Sequence, residues 1–254
     1  MAEHVDLADW LRGQLAKYRF EVAGIFHREG RPIWPLAAND ALSLERQLTE
    51  GGYLLPLPKE PAALANVLEV ALVDHLLRVV AEDSGLEARR GTERGYPDIE
   101  FSGARLGGYH AVDVKVARRA KTRDRLRTNS RITLYTGNTY FRFPDLLWPG
   151  TFRPFEEYAR HLDIIVIYTL NEQSAARVED PEMIVQDAWR VASKQRSSTT
   201  REYIGAVDLV SQLREGKGDF QSAEEFYAYW RKYHFTLSRQ VEKELDKARR
   251  KTQG

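Results

Sequence analysis

The sequence predicts an α/β protein in which a central β-sheet is flanked by helices. Apolar residues recur at helical spacing over residues 5–18 and 62–82. Residues 162–170, LDIIVIYTL, form a nearly continuous apolar run, which is typical of a central strand buried on both faces. Polar and apolar residues alternate in two short segments, PDIEF (97–101) and HAVDVKV (110–116). A turn from Gly103 to Gly108 separates them. That arrangement predicts a β-hairpin.

The composition is that of an ordinary globular protein. Of the 254 residues, 43% are hydrophobic and 30% are charged, which excludes a disordered chain. Lys and Arg total 38 against 37 Asp and Glu, so net charge does not by itself predict a nucleic-acid partner. The absence of cysteine excludes thiolate metal sites and suits a cytoplasmic protein. No apolar run approaches the ~18 residues of a membrane span, and no zinc-hydrolase, phosphate-loop or serine-hydrolase motif is present.

The rest of the chain supplies shorter elements. We expect a strand over 20–26, a short helix over 40–49 followed by a loop, and a helix start at Pro61. Further along, the pattern predicts a short helix in PFEEYARH (154–161), a strand over 185–192, and helices over 223–233 and 237–251. No repeat or clear linker interrupts the chain, so residues 1–254 are expected to form a single domain.

The predicted hairpin carries side chains suited to phosphodiester hydrolysis. Strand alternation places Asp113 and Lys115 on one face and Val112 and Val114 on the other, and the turn can bring Asp98 to the same mouth. Carboxylate oxygens are ligands that Mg²⁺ prefers, and an ammonium group can stabilise charge that develops on a phosphate. The pattern P-D followed by D-x-K is the signature of the PD-(D/E)xK nucleases. A surface hairpin with solvated charges is the alternative.

Glu69 is a further candidate carboxylate. Within the predicted long helix it lies on the same side as Leu72, Val73 and Leu76. It is either a solvated residue at the edge of the helix or a third carboxylate of the metal site. Helical spacing alone leaves both interpretations open.

A basic segment, ARRAKTRDRLRTNSR (117–131), directly follows the second strand of the hairpin. Charge runs of this kind are often solvated loops. Here the run adjoins the proposed catalytic strand, where substrate phosphates must lie. We therefore expect Arg118 and Arg119 to contact the DNA backbone.

Over most of its length the chain resembles the EcoRV-type restriction endonucleases. The matching stretches keep the family's order: GIFHREG (24–30), ANVLEVALVDHLLRVVAEDSG (65–85), RGYPDIEF (94–101), AVDVK (111–115), RPFEEYARHLDIIVIYTL (153–170), VQDAW (185–189), TTREYIG (199–205) and LREGKGDFQSAEEFYAYWRKY (213–233). The resemblance implies a restriction-endonuclease-like core with a mixed central sheet. It also implies that Asp98, Asp113 and Lys115 are the catalytic aspartates and lysine, that both aspartates bind metal, and that Glu69 lies near the family's long-helix glutamate.

The same resemblance implies a function and partners. We expect a type II restriction enzyme that uses Mg²⁺ to cut double-stranded DNA within a short palindrome, works as a homodimer and has a cognate DNA methyltransferase in its host. Residues 19–60 then correspond to a dimerisation part and 62–254 to the DNA-binding and catalytic part. The stretch 37–60 looks longer than its family counterpart.

The family's base-reading loop falls on a polar segment that lacks the family's glycines and asparagine. Its members are Lys194, Gln195, Arg196, Ser197, Ser198, Thr199 and Thr200. Arg196 either reads a guanine, as bidentate arginines do, or contacts a phosphate. Because the loop departs from the family pattern, we expect a target sequence different from that of the family's namesake.

Two other functions remain open from the sequence. A repair or junction-resolving nuclease with the PD-(D/E)xK core would cut by DNA structure instead of by sequence. A DNA-binding module of the same fold that has lost catalysis is the second, although the intact Asp98, Asp113 and Lys115 disfavour it.

Overall fold

The computed structural model describes residues 4–20, 40, 42–43, 61–83, 85–92, 95–122, 124–171 and 177–252. The strand predicted over 20–26 and the short helix predicted over 40–49 lie almost wholly outside these residues. The helices are α1 (Leu7–Lys17), α2 (Pro61–Ala81), α3 (Ala188–Val191), α4 (Val210–Glu215), α5 (Ala223–Lys232) and α6 (Arg239–Thr252). The strands are β1 (Glu87–Arg90), β2 (Ile99–Ser102), β3 (His110–Thr122), β4 (Arg125–Thr128), β5 (Thr133–Thr136), β6 (Arg160–Leu170), β7 (Val178–Asp187), β8 (Ala192–Arg196) and β9 (Tyr203–Ala206).

The main sheet of the described chain is mixed. Its strands follow the order β1-β2-β3-β6-β7, and β4 pairs with the far end of β3. β3 and β6 run parallel, whereas the other neighbouring pairs are antiparallel. A smaller sheet has the order β5-β9-β8. The predicted α/β class with a mixed central sheet and flanking helices is therefore confirmed.

Each face of the main sheet is covered by its own layer. On one face, Val112, Val114, Leu162 and Ile164 pack with the apolar sides of α1 and α2 in one core cluster. On the other face, Ala111, Ala117, Ile165 and Ile167 belong to a second cluster that includes the smaller sheet and α5. Because β6 is buried between these layers, residues 162–168 are nearly all apolar on both of its faces.

The hairpin predicted around Gly103 to Gly108 is confirmed. β2 and β3 pair antiparallel, with Ile99 opposite Val112 and Phe101 opposite His110. Both turn glycines have positive φ, 130° at Gly103 and 106° at Gly108, which residues with a Cβ rarely adopt. The turn therefore depends on these glycines.

The two predicted helices on the first face are confirmed with bounds close to those expected. α1 begins after Asp6, whose carboxylate accepts a hydrogen bond from the Asp9 N–H at 3.0 Å. α2 begins at Pro61 and buries Leu64, Leu68, Leu72, Val73, Leu76 and Val80. Of the helices in the described part of the chain, none is long and apolar enough to cross a membrane.

The basic segment after Lys115 forms regular structure, since β3 continues to Thr122 and forms a second hairpin with β4. Two local predictions need correction. The strand predicted over 185–192 is wrong for 188–191, because α3 turns the chain from β7 in the main sheet to β8 in the smaller one. PFEEYARH holds only a 3₁₀ turn at Phe155–Glu157, since β6 already begins at Arg160.

Candidate active site

Hydrogen bonds join the predicted catalytic residues of the hairpin to one another and to its backbone. The N–H of Asp98 donates to Oδ1 of Asp113 at 3.1 Å, and the N–H of Val114 donates to Oδ2 of Asp98 at 2.7 Å. Nζ of Lys115 donates to Oδ2 of Asp113 at 2.5 Å. The backbone pairing of β2 with β3 stops at Ile99 and Val112. At Asp98, just outside that pairing, the side-chain carboxylate takes over and accepts the hydrogen bond from the backbone of β3. This geometry agrees with the sequence prediction that Asp98, Asp113 and Lys115 lie together at the open end of the hairpin, away from its turn.

Burial and mutual charge shift the proton affinities of this group. Burial, followed by the neighbouring Asp113 carboxylate, raises the pKa of Asp98 to about 7. Burial alone would lower the pKa of Lys115, but the carboxylates of Asp113, Asp98 and Asp163 outweigh it and raise that pKa. The site therefore holds a firmly protonated lysine among acids that repel one another.

Glu69 opens into the same cleft as Lys115. A cavity of about 300 Å³ is lined by both side chains together with Arg131 and Thr133. Burial raises the pKa of Glu69, and the nearby Lys115 acts in the opposite direction. The Glu69 side chain is thus half-buried beside the hairpin, which favours the third-carboxylate interpretation over a fully solvated helix edge.

Asp163 is an acid of this site that sequence reasoning missed. It lies on β6 directly opposite Asp113 on β3, and its side chain is 1% exposed. The sequence signal was a single acid in the apolar run LDIIVIYTL. That run predicts the strand, but not the register that sets Asp163 beside Asp113.

Arg118 and Arg119, the residues predicted to contact phosphates, lie further along β3 on opposite faces of the sheet. Alternation places Arg119 on the face of Asp113 and Lys115, and Arg118 on the opposite face, where it pairs in register with Tyr168. The Arg119 guanidinium donates to Oγ1 of Thr169 at 2.9 Å and lies 3.4 Å from a carboxylate oxygen of Glu182. Arg119 is therefore already engaged within the fold.

The segment predicted to read bases forms the end of β8 and the turn towards β9. Lys194 and Arg196 belong to β8, so the polar loop is shorter than expected. Arg196 bonds to Glu202 at 2.9 Å, and Lys194 lies 3.1 Å from Glu225. The exposed members of the segment are Lys194, Gln195, Thr199 and Thr200.

A hydrogen bond joins this loop to the cleft that contains Glu69 and Lys115. The hydroxyl groups of Ser197 and Thr133 are 2.7 Å apart, and Thr133 lines the cleft that contains Glu69 and Lys115. Within the loop, Oγ of Ser198 accepts from the N–H groups of Thr200 and Arg201, each at 3.2 Å. The loop is therefore internally ordered and anchored beside the acidic site.

Comparison with known proteins agrees with the fold. The chain is 23% identical over 203 residues to the type II restriction enzyme EcoRV of Escherichia coli, a match that covers 73% of this chain and 80% of that enzyme. A model of the family described as restriction endonuclease EcoRV matches residues 34–251, which include every residue of the site. The protein therefore belongs to the EcoRV family of restriction endonucleases.

Proposed function

We propose that this protein is a type II restriction enzyme that hydrolyses double-stranded DNA at a short palindromic site with Mg²⁺ as its cofactor. The observation that carries the proposal is the contact of Asp98, Asp113 and Lys115 at the mouth of the β2–β3 hairpin. Two carboxylates and an ammonium group are what metal-assisted phosphodiester hydrolysis requires. Membership of the EcoRV family supports DNA as the substrate.

The donor set of the cleft fits a hard divalent cation. Mg²⁺ keeps several waters and is commonly bound through only one or two carboxylates, so Asp98 and Asp113 suffice as protein ligands. Among the described residues no three acidic or imidazole groups already converge to hold an ion. Because Oδ2 of Asp113 is bonded to Lys115, loading the site entails a rearrangement of side chains around Asp113.

When bound, Mg²⁺ would polarise the scissile phosphate and lower the pKa of the attacking water. The protein's own contribution is positional and electrostatic. Lys115 keeps its proton and places a positive charge at the cleft, where it can stabilise charge that develops on the phosphate. Glu69 supports the same site from α2 and is expected to matter less than either aspartate.

Specificity is assigned to the segment from Lys194 to Thr200. Its support is its position: Ser197 is bonded to Thr133 of the catalytic cleft, so bases bound at the loop lie close to the scissile phosphate. In this structure Arg196 is bonded to Glu202, and reading a guanine would require it to exchange that partner for the base. We expect the target to differ from that of EcoRV, because this loop has a different composition.

We further propose that the enzyme acts as a homodimer. A palindromic site is best matched by two identical subunits related by a twofold axis. The dimerisation part would include residues 19–60. Arg118 would contribute a contact to the DNA backbone, and Arg119 would do so by exchanging Thr169 and Glu182 for a phosphate. An enzyme of this kind would work in the cytoplasm beside a methyltransferase that protects the host's own sites.

Cleavage of a random-site DNA library followed by sequencing of the ends tests this function. A restriction enzyme would give discrete fragments whose ends share one short palindrome, and cutting would require Mg²⁺. Cutting only at junctions, nicks or other distorted structures would instead identify a repair or junction-resolving nuclease. DNA binding without cleavage at any Mg²⁺ concentration would identify a DNA-binding module that has lost catalysis.

A further inference from the structure

Asp163 lies beside Asp113 in the main sheet. It is the register partner of Asp113 in the parallel pairing of β3 with β6, so the two side chains point to the same face of the sheet. Its neighbours on that face of β6, His161 and Ile165, belong to the interior with it, and Asp163 itself is 1% exposed. An acid at the centre of a central strand needs a partner, because burying an unpaired charge is costly.

Within the described residues, neither carboxylate oxygen of Asp163 has a hydrogen-bond partner. The polar groups around it are engaged elsewhere. Nζ of Lys115 bonds to Asp113 at 2.5 Å, and Nε2 of Gln186, the register partner of Asp163 on β7, donates to the carbonyl of Arg214 at 2.8 Å. Nδ1 of His161 is 2.6 Å from the hydroxyl of Tyr96.

Asp163 belongs to a group of neighbouring acids that includes the two carboxylates of the hairpin. The carboxylates of Asp98, Asp113 and Asp163 all lie near the ammonium group of Lys115, and Glu69 adds a fourth acid at the cleft. A divalent ion would supply the charge that this group of acids lacks.

We propose that Asp163 is a further carboxylate ligand of the metal site, contributed by β6 and acting together with Asp98 and Asp113. This inference rests on the proposed function, since it assigns Asp163 to the cation that the nuclease would use. The three acids come from neighbouring parts of the sheet: Asp98 directly precedes β2, Asp113 lies on β3 and Asp163 lies on β6. The third ligand would anchor the ion to the middle of the sheet and not only to the edge of the hairpin.

Metal binding in the absence of DNA tests the proposal without reference to cleavage. Calorimetric titration of the metal-free protein with Mg²⁺ or Mn²⁺ alone should show that Asp163→Asn weakens binding at least about tenfold. The same variant should lose most of the rise in melting temperature that the metal gives the wild type. Without metal, Asp163→Asn should melt at or above the wild-type temperature, because a neutral amide replaces an unpartnered buried acid.

Two further variants sharpen the result. Asp208→Asn makes the same chemical change at a carboxylate outside the cleft, which pairs with Arg127 at 3.0 Å, and should leave metal affinity unchanged. Asp163→Leu suits the apolar surroundings of β6 and should bind metal as weakly as Asp163→Asn. If Asp163→Leu does not fold, Asp163→Asn alone decides the question; if Asp163→Asn does not fold, normal metal affinity in Asp163→Leu would still overturn the proposal.

Unchanged metal affinity and stoichiometry in Asp163→Asn would overturn the proposal. Weak binding by Asp163→Leu with normal binding by Asp163→Asn would also overturn it, because Asp163 would then orient Asp113 by a hydrogen bond instead of binding the ion. If the wild type cuts DNA with Mg²⁺ while Asp163→Asn binds it normally, the inference fails and the proposed function stands. A wild type that neither binds metal nor cuts DNA would refute the proposed function as well.

Discussion

Replacing Lys115 by methionine should remove most of the catalytic power while keeping the shape of the site. The side chain of Lys115 is 21% exposed, and its Nζ lies 2.5 Å from Oδ2 of Asp113, so its charge acts in a partly dry environment. A unit charge about 4 Å from a second charge contributes about 4 kcal/mol at an effective dielectric constant near 20. If that interaction is made fully only in the transition state, its loss lowers the rate about a thousandfold.

Single-turnover cleavage at saturating Mg²⁺ measures this loss directly. Lys121→Met is a matched control, because Lys121 lies on the same strand but is exposed near the end of the second hairpin. The control should cut at close to the wild-type rate. Because Asp113 loses its ion-pair partner, Lys115→Met should also unfold more easily without metal, by about 3 kcal/mol. A Lys115→Met enzyme within about tenfold of the wild-type rate would refute the electrostatic role assigned to Lys115.

Three other predictions concern acids and phosphate contacts. The folded-state pKa of Asp98 is raised to about 7 from a usual value of 3.8, so its ionisation costs stability that grows between those pH values and is fully present above them. In EDTA, Asp98→Asn should therefore melt above the wild type near about pH 8 and show little advantage near about pH 4, and an equal difference at both would contradict this. Glu69→Gln should slow cleavage at limiting Mg²⁺ on the order of tenfold, less than either aspartate variant, and wild-type behaviour would return Glu69 to a solvated helix edge. Replacing Arg118 and Arg119 together by glutamine should weaken binding to all duplex sequences and reduce the salt slope by about 2, as measured by fluorescence anisotropy. An altered sequence preference with an unchanged slope would show that these arginines do not contact phosphates.

The hairpin was predictable because its determinants are local. Alternation within HAVDVKV sets Asp113 and Lys115 on one face, and glycines at 103 and 108 permit the turn that returns the chain to Asp98. The same reasoning predicted the long helix, because its buried residues recur every three or four positions. These elements follow from short-range sequence patterns and need no knowledge of distant neighbours.

The position of Asp163 beside Asp113 was not predictable in that way. Its place beside Asp113 depends on the parallel register of β3 and β6, two strands far apart in the sequence. A strand pattern reveals which residues share a face but not which strand will lie next to them. The smaller sheet was missed for a related reason, since β8 and β9 are short and the helical turn at 188–191 is apolar enough to be taken for a strand.

Arg196 illustrates a third limit. Its position in a polar segment predicts an available guanidinium, whereas the structure pairs it with Glu202 across the turn between β8 and β9. Sequence composition indicates which groups could bind DNA. It does not show which of them already have a partner in the folded chain.

Cleavage by Asp113→Asn tests the central claim most directly, because Asp113 contacts both the backbone N–H of Asp98 and the side chain of Lys115. The measurement is single-turnover hydrolysis of a cognate duplex with Mg²⁺, made alongside DNA binding and circular dichroism of the same protein. We predict that cleavage is lost while the folded spectrum and DNA binding are kept, since removing a carboxylate reduces its repulsion of the phosphate. Cleavage by Asp113→Asn at close to the wild-type rate would show that the hairpin is not the catalytic centre.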